Sequence, residues 1–264
     1  MSTDLPPLRV AQLSDLHLFA APSSQLLGIT TRTSFEAVLA LALESAPAAL
    51  LVTGDLVQDH SATAYQALRK RLDASAVPYD VLAGNHDHPD LCAAHFGAGS
   101  VAAVRWQRRA DWNLGLLNSQ VSGRNRGGIV PAQLAAIEQR LRADAAPTVL
   151  ALHHHPLPSG SAWLDQLDAE GGAELLALCD AYPQVRAVLF GHIHQEFTQA
   201  RGHYQLLAAP ATCVQFQPHS AQFAVGRQQP GYREVLLHAD GHLTSRVVRL
   251  SRYHEVPLAQ STGY

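Results

Sequence analysis

In the first third of the chain, short apolar runs alternate with longer stretches whose apolar residues recur every three or four positions. Residues 8–14 read as a strand. Residues 34–45 (S-F-E-A-V-L-A-L-A-L-E-S) read as a helix, with Thr33 or Ser34 as its cap. Residues 48–53 form a short apolar strand. Residues 61–76 read as a second helix, because Ala64, Tyr65, Leu68 and Leu72 fall at helical spacing. Residues 79–83 form a third strand. This alternation predicts right-handed βαβ units and a sheet covered on both faces.

The pattern then changes. Residues 101–107 and 112–118 read as neighbouring strands with little room for a helix between them. Residues 131–143 read as a helix with proline in its first turn. A strand at 148–152, a helix at 173–182 and a strand at 185–190 follow. The rest is β-rich: a hairpin over 197–207 around Arg201-Gly202, and another over 232–250 with Ala239-Asp240-Gly241 at the turn. No repeat or low-complexity linker divides the chain. The pattern predicts an α/β protein, a four-layer α-β-β-α sandwich of two mixed sheets flanked by helices. Residues 1–252 are expected to form a single domain. The tail, 253–264, has no clear periodicity and is either mobile or laid over the rest.

Composition narrows the function classes. Of 264 residues, 47% are hydrophobic, enough for a sizeable core, and the net charge of −3 gives no electrostatic case for nucleic acid or an anionic membrane. No apolar run approaches the ~20 residues of a membrane span. The opening M-S-T-D-L-P-P-L-R-V has no charged segment followed by an apolar one, so no signal peptide is expected. Cys92, Cys179 and Cys213 are far apart and form no zinc spacing. They read as small buried side chains, which fits a reducing cytoplasm. The feature with chemical content is 15 histidines against 19 lysines and arginines, since histidine is the commonest metal ligand.

Polar residues stand at five predicted strand ends. S-D-L-H carries Asp15 and His17, T-G-D-L-V-Q-D carries Asp55, and A-G-N-H-D carries Asn85 and His86. H-H-H-P carries His153 and His154, and G-H-I-H carries His192 and His194. In α/β sheets the carboxyl ends of the strands form the ligand crevice. In an extended segment, residues two apart point to the same side, so His192 and His194 are expected to face one volume. The candidate ligands are Asp15, His17, Asp55, Asn85, His192, His194 and one of His153 and His154. They are too many for one tetrahedral site. They suit two ions sharing a carboxylate, and a nitrogen and oxygen set without thiolate suits iron, manganese, cobalt or zinc.

The series D-x-H, G-D-x-x-x-D, G-N-H-D, H-H-P and G-H-x-H, in that order, resembles the motifs of the calcineurin-like metallophosphoesterases. It runs from Asp15 to His194, about two thirds of the chain. A closer similarity is to the bacterial class III 3′,5′-cyclic-AMP phosphodiesterases. It rests on S-D-L-H-L-F, L-H-H-H-P-L-P-S-G with W-L-D at 163–165, G-H-I-H-Q-E, P-A-T-C-V-Q-F-Q-P-H at 210–219 and the final S-T-G-Y.

The resemblance implies roles at matching positions. One metal would be held by Asp15, His17, Asp55 and His194. The other would be held by Asp55, Asn85, His192 and a histidine of the 153–155 run. Counting back from Pro156 selects His154, and counting forward from the strand selects His153. An extra residue fits more easily in the loop than in the strand, which leans toward His153. Asp55 would bridge both ions, and His86 would face the phosphate as a non-ligand. His17, Asp55, Asn85 and His86 would surround the substrate, with Asp55 and His86 carrying the catalysis. The ions would be Fe²⁺ or Mn²⁺, with Zn²⁺ or Co²⁺ as alternatives.

The implied reaction is hydrolysis of 3′,5′-cyclic AMP to 5′-AMP, with hydroxide held by the two metals attacking phosphorus. Two metals roughly 3.5–4 Å apart can activate water and neutralise the phosphate oxygens. His86 would donate to a phosphoryl oxygen or protonate the leaving oxygen, a general-acid role typically worth about 10²–10⁴-fold. Alternatives are another phosphodiesterase, a nucleotide pyrophosphatase or a phosphomonoesterase on the same scaffold, or a non-catalytic binding module. A missing ligand would favour the module, and none is missing. The expected partner is a small-molecule substrate, with neither nucleic acid nor membrane. Oligomeric state stays open, although many relatives pair as homodimers.

Other residues read more plainly. Asp59 and Asp87 are expected to orient ligands or form turns. Arg124 and Arg126 read as an exposed turn rather than phosphate contacts, and residues 106–109 as a solvated strand end. His203, His219, His238 and His242 read as surface or hairpin positions, with a place for His219 near the substrate pocket left open. Phe216 reads as core packing rather than as a platform for adenine.

Overall fold

The computed structural model describes residues 6–258. The chain begins with β1 (Leu8–Leu13), a small hairpin of β2 (Gln25–Leu26) and β3 (Ile29–Thr30), and α1 (Thr31–Glu44). There follow β4 (Ala49–Thr53), α2 (Ala62–Asp73), β5 (Tyr79–Leu82), α3 (Pro89–Phe96), β6 (Val104–Arg109), β7 (Trp112–Leu117) and β8 (Gly127–Gly128). Next come α4 (Pro131–Ala143), β9 (Thr148–Ala151), β10 (Ala169–Glu170), α5 (Gly172–Ala181) and β11 (Val185–Phe190). The chain continues into two hairpins, β12 (Phe197–Arg201) with β13 (Tyr204–Ala208), and β14 (Gly231–Leu237) with β15 (Leu243–Arg249).

The strands form two large mixed sheets. The first runs β15-β14-β1-β4-β5 and the second β12-β13-β11-β9-β7-β6. Strands β1, β4 and β5 are parallel, and so are β7, β9, β11 and β13. Val10, Leu51 and Leu82 of the first sheet share a core with Leu114, Val149 and Leu189 of the second. Phe35 and Val38 of α1 and Tyr65 and Leu68 of α2 pack on the outer face of the first sheet. Ile137 of α4 and Leu175 of α5 pack on the second. The layers are therefore α-β-β-α, as the sequence predicts. β4 is buried at every position because it is covered on both faces, which explains its unbroken apolar run.

Two local readings are corrected. α1 starts at Thr31, so Ser34 lies inside the helix, where its hydroxyl donates to the Thr212 carbonyl. Thr30 is the cap residue. The Glu255 carboxylate accepts from the Thr30 amide and hydroxyl, placing negative charge at the helix N-terminus. This part of the tail thus lies over the start of α1, and the Leu258 amide donates to the Leu27 carbonyl. The terminal S-T-G-Y lies outside the described residues. The second correction is α3, which the periodicity did not reveal. It has eight residues, and only Cys92 is buried, too few for a helical repeat to show.

The end of β6, expected to be solvated, is partly tied down. Arg105 and Arg109 both pair with the buried Asp80 of β5, at 2.7 and 2.8 Å, joining the edges of the two sheets. Among the described residues, no helix is long and apolar enough to cross a membrane.

Candidate active site

Strands β1, β4 and β5 of one sheet and β9 and β11 of the other lead into one cluster. The backbone there is not extended. Asp15, His17, Asp55, His192 and His194 all have φ between 46° and 68°. Left-handed backbone costs a non-glycine residue roughly 1–2 kcal/mol, so neighbours must hold it. Asp15 N–H donates to the Gly54 carbonyl, and Leu16 and His17 both donate to the Asp55 carbonyl. The His192 amide donates to the Asp15 carboxylate across the two sheets. Glycine permits the close approach: a Cβ on Gly84 would overlap Asp55 Oδ1, and one on Gly191 would overlap Ser14 Oγ.

This turn replaces the extended geometry on which spacing alone puts His192 and His194 on one side; the two reach one cluster but different donor groups of it. His194 Nε2 lies 3.1 Å from His17 Nε2 and 3.5 Å from Asp15 Oδ1. The His192 ring instead lies 5.1 Å from that of His153 and 4.6 Å from that of His154. Two donor groups result, Asp15–His17–Asp55–His194 and His153–His154–His192, all buried. Asp55 stands between them, with Oδ2 at 3.7 Å from His17 Nε2 and 3.3 Å from His153 Nε2. Asn85 Oδ1 lies 3.1 Å from His153 Nε2, on the side of the second group.

Hydrogen bonds aim the rings. Nδ1 of His153 donates to the Thr53 carbonyl at 2.7 Å, and Nδ1 of His194 to the Val214 carbonyl at 2.8 Å. Nδ1 of His17 meets Gln58 Oε1 at 2.6 Å. Each bond turns Nε2 inward, the orientation a metal-binding imidazole needs. His154 is anchored likewise, with Nδ1 at 2.8 Å from Ser119 Oγ and Nε2 without a hydrogen-bond partner, but only the His153 Nε2 lies beside Asp55 Oδ2 and Asn85 Oδ1, at 3.3 and 3.1 Å. His153 is thus the one tied to Asp55 and Asn85. His155, the extra histidine, falls in the loop beyond β9 and stacks on His192 with the ring centroids 5.5 Å apart.

His192 tests whether the cluster fits a cation. It is 3% exposed, and neither ring nitrogen has a hydrogen-bond partner. A buried unsatisfied polar group costs about 1–3 kcal/mol. A divalent cation would take one of those lone pairs, so the donor set fits metal.

The electrostatics point the same way. Burial pushes Asp15 up to about 7, with His153 opposing and the charge of Asp55 adding. Burial works against the Asp55 carboxylate too, but His153, His86 and His17 hold it well below the usual range. Burial pushes His17 down to about 4, and His192 and His194 well below their usual value. Burial also disfavours the His153 cation, yet Asp55 and Asp15 lift it to about 9. His17, His192 and His194 are thus neutral imidazoles ready for a cation, whereas His153 must first give up a proton.

His86 stands at the rim. It is half-buried, its amide donates to Asp55 Oδ1 at 2.9 Å, and its ring meets the His17 ring edge-on with centroids 5.0 Å apart. Asp87 beneath it accepts from the amides of Leu56, Val57 and Gly84 and from the Tyr65 hydroxyl. Asp59 accepts from Ala20 and Ser61 and forms a turn before α2. Both act as orienting or turn residues, as expected.

The other candidates lie elsewhere. Arg124 and Arg126 sit on an exposed turn, and Arg126 pairs with Asp168. His203, His238 and His242 belong to the far hairpins. His219 is exposed, with its Nδ1 beside Gly160. Phe216 is 1% exposed and stacked on His194, so it packs and offers no free face to a base. The three cysteines are free and buried. Sequence reasoning missed Gln58, Ser119 and the Val214 carbonyl. Gln58 stands within the second motif, but nothing in the pattern marks it as the partner of His17.

Residues 8–196 match the calcineurin-like phosphoesterase family. The chain is 42% identical over 262 residues to the 3′,5′-cyclic adenosine monophosphate phosphodiesterase CpdA of Escherichia coli (strain K12), covering 97% of this chain and 95% of that protein. It is 39% identical over 247 residues to the 3′,5′-cyclic-nucleotide phosphodiesterase alr5338 of Nostoc sp., covering 92% and 93%. A dimetal phosphatase from Danio rerio shares the fold at a TM-score of 0.66 and 16% identity, covering 94% of this chain and 100% of that one. With the family's motifs gathered at one pole of its fold, the chain belongs to the calcineurin-like phosphoesterases.

Proposed function

We propose that this chain hydrolyses 3′,5′-cyclic AMP to 5′-AMP, using two divalent cations. The observation that carries the reading is Asp55 standing between two buried donor groups. The names of the relatives from Escherichia coli and Nostoc supply the substrate class. Asp15, His17, Asp55 and His194 would hold one cation, and Asp55, Asn85, His153 and His192 the other. The chemistry supplied by two such cations, iron(II) or manganese(II) with zinc or cobalt as alternatives, is to neutralise the phosphate and make water nucleophilic near pH 7.

The chain's own residues do the rest. Three imidazoles are fixed by Gln58, Thr53 and Val214, so their donor atoms need no reorganisation. Asn85 contributes a neutral oxygen, which leaves the second position more electron-poor than another carboxylate would. His86, anchored by its amide on Asp55, presents its ring at the rim and protonates the departing 3′-oxygen. Ser14 and Cys213 flank Asp15 but donate to the carbonyls of Thr53 and Asp15, and burial pushes the Cys213 thiol up. Neither is a nucleophile, so water attacks phosphorus directly. Attack opposite the 3′-oxygen leaves the phosphate on the 5′-carbon. The three free, buried thiols support a reducing cytoplasm as the place of action.

Fold alone does not fix substrate. A panel of cyclic AMP, cyclic GMP, a dinucleotide pyrophosphate, bis(4-nitrophenyl) phosphate and 5′-AMP, run with manganese-loaded protein, tests the reading. Cyclic AMP should open to 5′-AMP faster than 5′-AMP releases phosphate. The reverse order would make the protein a phosphomonoesterase, and chelator-insensitive inactivity on every ester would make it a binding module.

A further inference from the structure

We infer that Phe216 is a positioning residue, whose ring face sets the angle of the His194 imidazole within the metal cluster. This rests on the reading of His194 as a ligand and adds the device that aims it. His194 Nδ1 donates to the Val214 carbonyl at 2.8 Å, and its own carbonyl accepts the Phe216 amide at 3.0 Å. This bond and the 3.1 Å contact of Nε2 with His17 act at the edge of the ring, in its plane, and resist tilt out of that plane less than a group against its flat face. The Phe216 ring lies against that flat face. It lies parallel to the imidazole, with centroids 4.2 Å apart and planes 10° from parallel.

Phe216 is itself braced. Trp163 and Phe223 meet it edge-on, with centroids at 5.1 and 5.4 Å. The same segment also steadies the opposite ligand. The Thr212 amide donates to the Ser14 carbonyl, and Cys213 Sγ to the Asp15 carbonyl. Gln215 closes the turn by donating to the carbonyls of Ala211 and Cys213. Residues 211–216 therefore act on two candidate ligands that come from different sheets. This gives a physical role to the V-Q-F segment that the chemistry of the cluster leaves unused.

The test is titration of metal-stripped protein with Co²⁺ alone, followed by cobalt absorption. Phe216→Leu keeps apolar bulk and loses the flat face, and Phe216→Met is the second variant should leucine fold poorly. Either should weaken one of the two cobalt ions by roughly 10–100-fold, the range for losing a group that orients a ligand, and change that ion's spectrum. Phe216→Tyr keeps the face and should restore both. Phe197→Leu, a cut in the same core against Phe190, should leave both affinities unchanged. The inference fails if Phe216→Leu and Phe216→Met bind both ions as the parent does, if Phe216→Tyr restores nothing, or if Phe197→Leu weakens binding equally. His194→Ala separates the two readings. If it still binds two cobalt ions normally, His194 is no ligand and the metal assignment itself is wrong. If it loses one while the Phe216 variants lose none, only the positioning role falls.

Discussion

The backbone amide of His192 donates to both carboxylate oxygens of Asp15, at 3.1 Å each. Asp15 follows β1 of the first sheet and His192 follows β11 of the second. The bond therefore closes the inter-sheet seam at the point where the two candidate metal sites meet. Asp15 Oδ1 lies at the same time 3.5 Å from His194 Nε2, so one carboxylate meets both histidines of the G-H-I-H motif.

Asp55 is expected to be indispensable to both sites. Its Oδ2 faces His17 on one side and His153 on the other. Asp55→Ala should lose metal as well as turnover. Elemental analysis decides it: a variant with a full metal complement and normal rate would refute the bridging role.

His86 should behave differently, because its amide is bonded to Asp55 and its ring stands edge-on to His17, outside both donor groups. His86→Ala should keep both ions while turnover falls by roughly 10²–10⁴-fold. Metal content and turnover measured on the same preparation separate this from a ligand, which would lose both.

His153 and His154 should part company. His153 sits by Asp55 and Asn85, whereas His154 is tied to Ser119. His153→Ala should drop the metal content from two to about one per chain, the loss expected for one of four ligands at one site. His154→Ala should keep two. The opposite pattern would reassign the ligand.

Metal uptake should release protons in a pH-dependent count. Without metal, His153 is lifted to about 9 and Asp15 to about 7, and both must shed their protons to bind. Below 7 both hold a proton, so binding should release about two; between 7 and 9 only His153 does, and the release should be about one. Affinity therefore climbs with pH up to about 9 and climbs more steeply below 7. Calorimetric titration with Mn²⁺ in buffers of different ionisation heat gives the count directly. A release that does not change between pH 6 and pH 8 would contradict it.

A single turnover of cyclic AMP in ¹⁸O-water should place one label on phosphorus and none on the ribose 3′-hydroxyl. Mass spectrometry of the 5′-AMP reads this out. Label on the ribose would rule out attack at phosphorus, and 3′-AMP as the main product would reverse the assigned direction of attack.

The sequence by itself determined the layers and the inventory of the site. Apolar runs such as β4 and helical spacing such as Tyr65–Leu68–Leu72 report burial through local periodicity, and local periodicity survives in one dimension. The order of the five motifs likewise named Asp15, His17, Asp55, Asn85, His192 and His194, because a strand end is a place in the sequence as well as in space. α3 escaped, since eight residues with one buried side chain carry no repeat. What only the tertiary structure decided is direction. The left-handed turns at Asp15, His17, Asp55, His192 and His194 are held by hydrogen bonds from other strands, such as His192 to Asp15 over 177 residues. Those turns send His192 and His194 to different groups, against the extended geometry that spacing alone suggests. That His153 faces Asp55 and Asn85 while His154 is held by Ser119 depends on Thr53, Asn85 and Ser119, none of them a near neighbour in the chain. A side chain's type is written in its own position, but its aim is set by partners that only folding brings within bonding distance.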